Sequence, residues 1–209
     1  MPRPSRSHLS PRRRPLQARA RLTVESLLEA TARVLVARGW SGTTTNHVAH
    51  RAGVSVGSLY EYFPGKEALV AALVERHLAD AEARLDRLAA AIAGEDLRLE
   101  AVVASIVEAM LDLHASSPRL HRVLFEEVPH GPAVRGRIRA IEDRQARGLA
   151  AVLARLAPVR SPAVSARVIV ELLEALTHRW IVGPDASPLP RARMQAELER
   201  LVLGYLRSP

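Results

Sequence analysis

The 209-residue sequence contains no cysteine, which excludes disulfide bonds and thiolate metal sites. It has no run approaching the roughly 20 apolar residues that span a bilayer. No apolar signal segment follows its basic N-terminus either. We therefore expect a cytoplasmic protein without stable membrane association.

Sequence signatures of catalysis are also missing. There is no His-Glu-x-x-His motif, no glycine-rich phosphate loop and no nucleophile elbow. Glu127 and His130 have the Glu-x-x-His spacing of di-iron helical bundles, but Pro129 interrupts them. Those bundles need two such motifs on continuous helices. We predict no catalytic residue, no metal site and no cofactor.

Lysine occurs once, at Lys66, and most of the positive charge comes from arginine near the N-terminus. Residues 1–21 contain seven arginines and no acid, which accounts for +7 of the formal net charge of +8. In residues 22–68, four basic side chains balance four acidic ones. A Pro/Arg/Ser-rich segment of this kind cannot form a core, and it predicts a basic disordered arm over residues 1–21. Its partner is either nucleic acid or an anionic membrane surface, or it is a solvated tail with no partner.

The rest of the sequence has the pattern of successive helices. Apolar residues recur at three- and four-residue spacing, and no alternating strand pattern appears. The first helix is predicted from Val24 to Ala37, ending at Gly39. Because no linker is apparent, the helix beginning near Lys66 is expected to belong to both a small front domain (residues 22–68) and a larger rear domain (residues 69–209). The later helices are predicted at about 65–92, 96–115, 118–128, 132–157, 162–182 and 188–207.

Three Ser-Pro pairs lie at predicted helix starts: Ser117-Pro118, Ser161-Pro162 and Ser187-Pro188. A serine hydroxyl accepts a hydrogen bond from an otherwise unpaired helix N–H group, and proline is tolerated at the next position. We expect each serine to cap the helix that follows.

Residues 43–67 carry the clearest local pattern. Thr44 is predicted to cap a short helix that runs through Arg51. Gly53 follows, where a left-handed conformation favours glycine. Ser55 then caps a second short helix that runs through about Tyr62. This order of elements is that of a helix-turn-helix.

The second helix of such a motif enters the major groove of DNA with its N-terminal end first. Val56, Gly57 and Ser58 lie there, and their small side chains allow a close approach to base edges. Sequence preference is then expected from apolar contact, the Ser58 hydroxyl and DNA shape.

Phosphate contacts are expected from two kinds of group. Tyr60 and Tyr62 carry hydroxyls on the short second helix. Thr44, Thr45 and Lys66 lie at helix starts, where backbone N–H groups and the helix dipole favour an anion.

Some residues of this segment have a second interpretation. Tyr60 and Tyr62 are either DNA contacts or packing residues with solvated hydroxyls. His47 and His50 either contact DNA or lie on a solvated helix face. Leu59 and Phe63 are expected in the core of the small domain.

Here the sequence resembles the TetR family of bacterial one-component regulators. The match covers about residues 22–70 and includes Arg38-Gly39-Trp40, Thr43-Thr44-Thr45, Val48-Ala49, Ala52-Gly53-Val54-Ser55, Gly57-Ser58-Leu59-Tyr60-Glu61-Tyr62-Phe63 and Lys66-Glu67-Ala68-Leu69. Pro64-Gly65 departs from the small polar residues often found before the lysine. The positions that match DNA contacts of the family are Thr45, Ser55, Val56, Gly57, Ser58, Tyr60, Tyr62 and Lys66.

The resemblance implies an all-helical homodimer with a ligand-responsive C-terminal domain, usually acting as a repressor. Helices within about residues 96–182 would enclose the effector pocket, and the last two long helices would form the dimer. Apolar stripes fit that pairing, although they could also be core of the same chain. The stripes comprise Val164, Val168, Ile169, Leu172, Leu173 and Leu176, then Met194, Leu198, Leu201, Val202 and Leu206.

Effector contacts are expected from polar or aromatic groups in an otherwise aliphatic region, because binding cavities are mostly apolar with few polar anchors. The alternative for each of these residues is a place in the core or on the surface. The aliphatic surroundings favour a small apolar effector. The candidates are Met110, His114, His121, Phe125, His178 and Trp180.

The sequence thus predicts an all-α fold with a helix-turn-helix domain and a helical ligand-binding and dimerisation domain. The predicted function is a dimeric repressor that binds double-stranded operator DNA and is released by its effector. The alternative is a helical interaction or membrane-surface scaffold whose active element is the basic arm.

Overall fold

The computed structural model describes residues 18–94, 98–183 and 189–208. These residues form nine α-helices and two π-helical turns and contain no β-strand, which confirms the all-α prediction. Within the same ranges, no helix has the length and hydrophobicity needed to cross a membrane. Most of the predicted arm lies outside the described residues, but residues 18–21 are helical and belong to the first helix.

The helices follow one another in the order that the sequence predicts, with ends shifted by up to six residues, and the helices predicted at 118–128 and 162–182 each end in a π-helical turn. They are α1 (Ala18–Gly42), α2 (Thr45–Ala52), α3 (Val56–Tyr62), α4 (Lys66–Gly94), α5 (Leu99–Ala115), α6 (Pro118–Arg122), a π-helical turn (Val123–Glu127), α7 (Pro132–Leu156), α8 (Pro162–Thr177), a second π-helical turn (His178–Val182) and α9 (Arg191–Arg207).

The chain divides into two compact units. The N-terminal unit comprises Met1–Ala79 and Arg119–Pro129, and the C-terminal unit comprises Asp80–Pro118 and His130–Pro209. The division falls inside α4, so this helix contributes to both units. This was expected, because no linker is apparent in the sequence. The unit boundary nevertheless differs from the predicted one at residue 68, and residues 119–129 join the N-terminal unit, where their π-helical turn packs on α1.

The first helix loses its regular geometry at Gly39, whose φ is +67°. The sequence predicted an end at this residue, and a single further turn continues to Gly42. The Trp40 N–H, displaced from the helical ladder by the kink, donates to Glu127 Oε2 at 2.9 Å. The left-handed conformation favours glycine here, and a Cβ on residue 39, 2.7 Å from the same oxygen, would displace the Glu127 carboxylate from this hydrogen bond.

The core of the N-terminal unit joins α1 to the short helices. Leu27 and Leu35 of α1, Val48 of α2, and Leu59 and Phe63 around α3 are all fully buried. The prediction that Leu59 and Phe63 are core residues is confirmed.

The core of the C-terminal unit joins α5, α7, α8 and α9. It includes most of the apolar stripe of α9, namely Met194, Leu198, Val202 and Leu206, together with Ile169 and Leu173 of α8. These residues are therefore intramolecular core, which was the second of the two interpretations that the sequence left open for the stripes. Hydrophobic side chains left exposed on the same two helices are Val164, Val168, Leu201 and Tyr205.

The Ser-Pro pairs mark helix starts, but not through the expected hydroxyl caps. Helices α6 and α8 begin at Pro118 and Pro162 as predicted, yet the Ser161 side chain makes no capping hydrogen bond. Its ψ is 92°, against 156° at Thr44 and 152° at Ser55, whose side chains do cap. The Ser117 hydroxyl donates instead to the carbonyl oxygen of Ser116. The third pair lies outside the described residues, and α9 begins at Arg191.

Candidate DNA interface and effector cavity

The start of α2 is capped as the sequence predicted. The Thr44 Oγ1 accepts a hydrogen bond from the His47 N–H at 3.2 Å, and the Thr44 backbone is extended. At the other end of the helix, Gly53 adopts the left-handed conformation with φ +69° and ψ +28°. The Val54 N–H then donates to the Ala49 carbonyl, which closes the turn.

The start of α3 is closed by a second cap. The Ser55 Oγ accepts from the Ser58 N–H at 3.0 Å and lies 2.9 Å from the Ser58 hydroxyl. Because both hydroxyls already interact, a base contact by Ser58 would share or replace this bond. Both helices therefore have the local geometry of a helix-turn-helix, with Val48 and Leu59 facing the core.

The outer face of this motif is polar and small. Gly57 is exposed in the first turn of α3, and a Cβ there would meet no atom of the chain closer than 3.7 Å. Val56 and Ser58 beside it are half-buried. Intramolecular packing does not require a glycine at residue 57, whereas a close approach to DNA would.

The two expected phosphate contacts Tyr60 and Thr45 are brought together. The Tyr60 hydroxyl lies 3.2 Å from Thr45 Oγ1, and the Tyr60 side chain is exposed. The second tyrosine, Tyr62, is half-buried. A hydrogen-bonded pair of hydroxyls joining α2 and α3 at the surface is suited to donate to one phosphate oxygen.

Lys66, expected only as a phosphate contact, also binds Trp40 of the same chain. Its Nζ donates to the Trp40 carbonyl oxygen at 3.1 Å and lies 4.1 Å from the centroid of the Trp40 ring. An ammonium group has three donors, so this bond leaves two N–H groups for a phosphate. The sequence could not reveal the Trp40 contact, because the two residues are 26 positions apart.

A cavity of about 380 Å³ opens within the C-terminal unit, among the second half of α4 and helices α5, α7 and α8. This volume lies within the range of small-molecule sites. Its wall is almost entirely aliphatic: Leu85, Leu88, Ala89, Ile92, Val102, Ile106, Met110, Leu149, Ala151, Val152, Val170 and Leu173.

Three charged residues, Asp86, Arg144 and Arg155, also line the cavity. Arg144 is held by Glu82 at 3.4 Å and by Asp86 at 3.6 Å. Arg155 also lines the cavity and has no ion-pair partner among the residues that the structure describes. A ligand with an apolar body and one anionic end would match this distribution.

Of the six residues expected to contact an effector, Met110 lines this cavity. His121 and Phe125 belong to the N-terminal unit, where their rings pack on each other with centroids 4.5 Å apart. Trp180 packs against the C-terminal core and does not line the cavity. The aliphatic lining of α4 and α7 was missed, because leucine and alanine on a helix look alike whether they face a core or a cavity.

The remaining two candidates, His114 and His178, lie near each other with ring centroids 6.0 Å apart. His114 is buried, and its Nε2 lies 3.3 Å from Glu174 Oε1. Burial opposes the charged form of the imidazole, but the hydrogen bond and charge of Glu174 outweigh it and raise the pKa of His114 above its usual value.

Comparison with known proteins identifies both parts of the chain. Residues 27–73 match the family described as bacterial regulatory proteins, tetR family, and residues 98–206 match the tetracyclin repressor-like C-terminal domain. The HTH-type transcriptional regulator BetI of Burkholderia mallei is 31% identical over 186 residues, which cover 88% of this chain and 92% of that protein.

Solved structures share the fold at lower sequence identity. A TetR-family regulator from Mesorhizobium loti superimposes with a TM-score of 0.75 at 15% identity, covering 91% of this chain and 98% of its own. The regulator FadR from Bacillus subtilis, solved with stearoyl-CoA, gives 0.64 at 16% identity over 85% and 96% of the two chains. The chain belongs to the TetR family of DNA-binding transcriptional regulators.

Proposed function

We propose that this regulator represses transcription by binding double-stranded operator DNA as a homodimer and is released by a small apolar effector. The proposal that the protein binds DNA rests on the pair of capped helices α2 and α3, with the small residue Gly57 exposed at the start of α3. This arrangement supports insertion of α3 into the major groove.

Two kinds of DNA contact follow from the geometry. Val56, Gly57 and Ser58 would face base edges, where small side chains permit close approach. Thr45, Tyr60 and the start of α4 at Lys66 would hold phosphates, with help from Thr44, Ser55 and Tyr62. The near-zero net charge of residues 22–68 does not oppose this, because helix N-termini position phosphates and the arginines of residues 1–21 add nonspecific attraction.

The dimer would form through the hydrophobic side chains of α8 and α9 that are exposed in the monomer. Val164 and Val168 lie four residues apart on α8, and Leu201 and Tyr205 lie four residues apart on α9, so each pair shares a helix face. Exposed apolar side chains on two adjacent helices are suited to pair with their symmetry copies in a four-helix interface.

The effector would occupy the cavity lined by α4, α5, α7 and α8. The aliphatic wall supports an apolar body, and Arg155 supports an anionic end. FadR of Bacillus subtilis, which shares the fold, was solved with stearoyl-CoA. An effector releases DNA only if it binds the non-operator conformation more tightly than the operator-bound one.

Fluorescence anisotropy tests the DNA-binding part. The full-length protein is titrated onto labelled DNA from immediately upstream of its own gene and onto scrambled DNA, at two salt concentrations. We expect a preference of at least about a thousandfold for the upstream DNA. Tyr60→Ala should abolish that preference and leave the dimer intact. Leu22→Ala, which truncates another exposed side chain of the same unit, serves as the matched control and should bind normally.

Deletion of residues 1–17 separates the regulator from the scaffold interpretation. If the helix-turn-helix reads DNA, the deletion weakens binding to all sequences about equally and reduces the salt dependence, while the sequence preference remains. Loss of nearly all affinity together with equal binding to both DNAs would instead assign the binding to the arm.

A further inference from the structure

Three potential metal ligands meet inside the C-terminal unit, although the sequence predicted no metal site. His114 near the end of α5, Glu174 on α8 and His178 at the start of the second π-helical turn each offer one ligand atom. These atoms all lie within 4.8 Å of one another. We propose that His114, Glu174 and His178 bind a divalent transition metal ion of the zinc class.

Backbone geometry brings the three groups together. Glu174 and His178 are four residues apart, so they occupy one face over successive helical turns. His114 faces them from α5, and its Nε2 lies 3.3 Å from Glu174 Oε1. Two ligand atoms bonded to zinc at its usual length in a tetrahedron are about 3.4 Å apart, so this pair already has the required separation.

The second ring nitrogen of His114 fixes which nitrogen faces the carboxylate. Nδ1 lies 3.0 Å from the Met110 carbonyl oxygen, which can only accept, so Nδ1 carries the proton. Thr177 Oγ1 lies 3.2 Å from the same nitrogen and donates to the Leu173 carbonyl. A histidine whose Nδ1–H is bonded to a backbone carbonyl presents Nε2 to a metal, and this outer contact is typical of metal ligands.

The positions of the three groups suit a bound cation. Nε2 of the buried His114 and Oε1 of Glu174 face each other at 3.3 Å, and His178 offers a third ligand atom within 4.8 Å of both. A cation placed among them would be held by two imidazole nitrogens and one carboxylate oxygen.

The chemistry of the three ligands indicates the class of ion. Two imidazole nitrogens and one carboxylate oxygen suit zinc, and also cobalt or nickel, better than calcium or magnesium, which prefer all-oxygen sites. Three protein ligands leave one tetrahedral position for water or another donor.

The test uses full-length protein without a polyhistidine tag, stripped with a chelator and then desalted. Cobalt(II) is titrated and followed by its visible d–d absorption, and zinc is added in competition. We expect one ion per chain, displaced by zinc. Glu174→Gln and His178→Ala should each weaken binding by at least about tenfold, the lower limit for loss of even an outer-shell partner.

His50→Ala is the matched control, because this histidine is exposed on α2 in the other unit. It should bind cobalt as the wild type does. No cobalt absorption in the wild type, unchanged binding by Glu174→Gln and His178→Ala, or an equal loss in His50→Ala would each overturn the proposal.

Zinc-dependent melting distinguishes loss of the metal site from a general loss of stability in the variants. The melting temperature of the wild type and of His50→Ala should rise with added zinc, whereas that of Glu174→Gln should not. Glu174→Gln keeps the size of a side chain that is partly exposed, so its folded state should persist without metal. A zinc-dependent rise in Glu174→Gln equal to that of the wild type would contradict the site.

Discussion

The Lys66 ammonium lies 4.1 Å from the centroid of the Trp40 ring and donates to the Trp40 carbonyl oxygen at 3.1 Å. The backbone N–H of Trp40 donates to Glu127, so the turn after the Gly39 kink is held on both sides. The chain's only lysine thus joins the end of α1 to the start of α4. The contact holds the ammonium group at the start of α4, where a phosphate contact is proposed.

Lys66→Met tests both roles of the lysine. The variant keeps the apolar stem but removes a charged hydrogen bond and a cation–π contact, so the free energy of unfolding should fall by about 1–2 kcal/mol. Operator affinity should also fall, and the slope of log K against log salt should decrease by about 0.9 for each copy of Lys66 on the DNA. Chemical denaturation and anisotropy at several salt concentrations measure the two effects.

The control for Lys66→Met is Arg200→Met, which removes one positive charge from an exposed ion pair with Glu197 on α9. Its salt slope should equal that of the wild type. A normal slope in Lys66→Met with reduced affinity would mean that the lysine positions the motif through Trp40 and does not touch phosphate.

Gly57→Ala tests the close approach of α3 to DNA. Intramolecular space is available for the added methyl group, and alanine favours a helix over glycine by about 0.5–1 kcal/mol. Stability should therefore stay the same or rise, while operator affinity should fall by at least about tenfold through steric overlap with DNA. Gly136→Ala on α7, exposed and equally unhindered, should be as stable and bind the operator normally. Full operator affinity in Gly57→Ala would argue against insertion of this turn into the groove.

Gly148→Leu tests the cavity. Gly148 lines it, and a Cβ there would meet no atom within 4 Å, so a leucine would occupy the open space. Binding of anilinonaphthalene sulfonate, an apolar fluorophore with one anionic group, should weaken by at least about tenfold without a loss of thermal stability. Gly136→Leu lies on the same helix away from the cavity and should leave the probe affinity unchanged. Equal affinity in both variants would place the probe elsewhere.

Val168→Glu combined with Leu201→Glu tests the dimer. Both side chains are exposed in the monomer, so charge there costs little in the folded subunit but is strongly unfavourable in an apolar interface. Sedimentation velocity should give a monomer, with the helical circular dichroism retained. Leu22→Glu, at an exposed apolar residue of α1, should remain dimeric. A dimeric double variant would require a different interface.

In the N-terminal unit, most predictions came from residues whose structural effect is local in the sequence. Thr44, Gly53 and Ser55 act within four residues of themselves, through a hydroxyl that reaches the next helical turn or a backbone that must turn left-handed. Their effects depend little on the remainder of the fold, so sequence alone identified the helix-turn-helix and its family. The rule failed at Ser161, where ψ is 92° against 156° and 152° at the two capping residues and the hydroxyl makes no capping bond.

Tertiary packing decided what the apolar stripes and the isolated histidines do. The sequence showed that α9 has an apolar face, but not that Met194, Leu198, Val202 and Leu206 cover the same chain's core. Helical periodicity shows that one face of a helix avoids water. That face can be buried equally well in a core, along a cavity or against a partner subunit. Likewise, 60 residues separate His114 from Glu174, and only the packing of α5 against α8 brings these two groups within bonding distance of one ion.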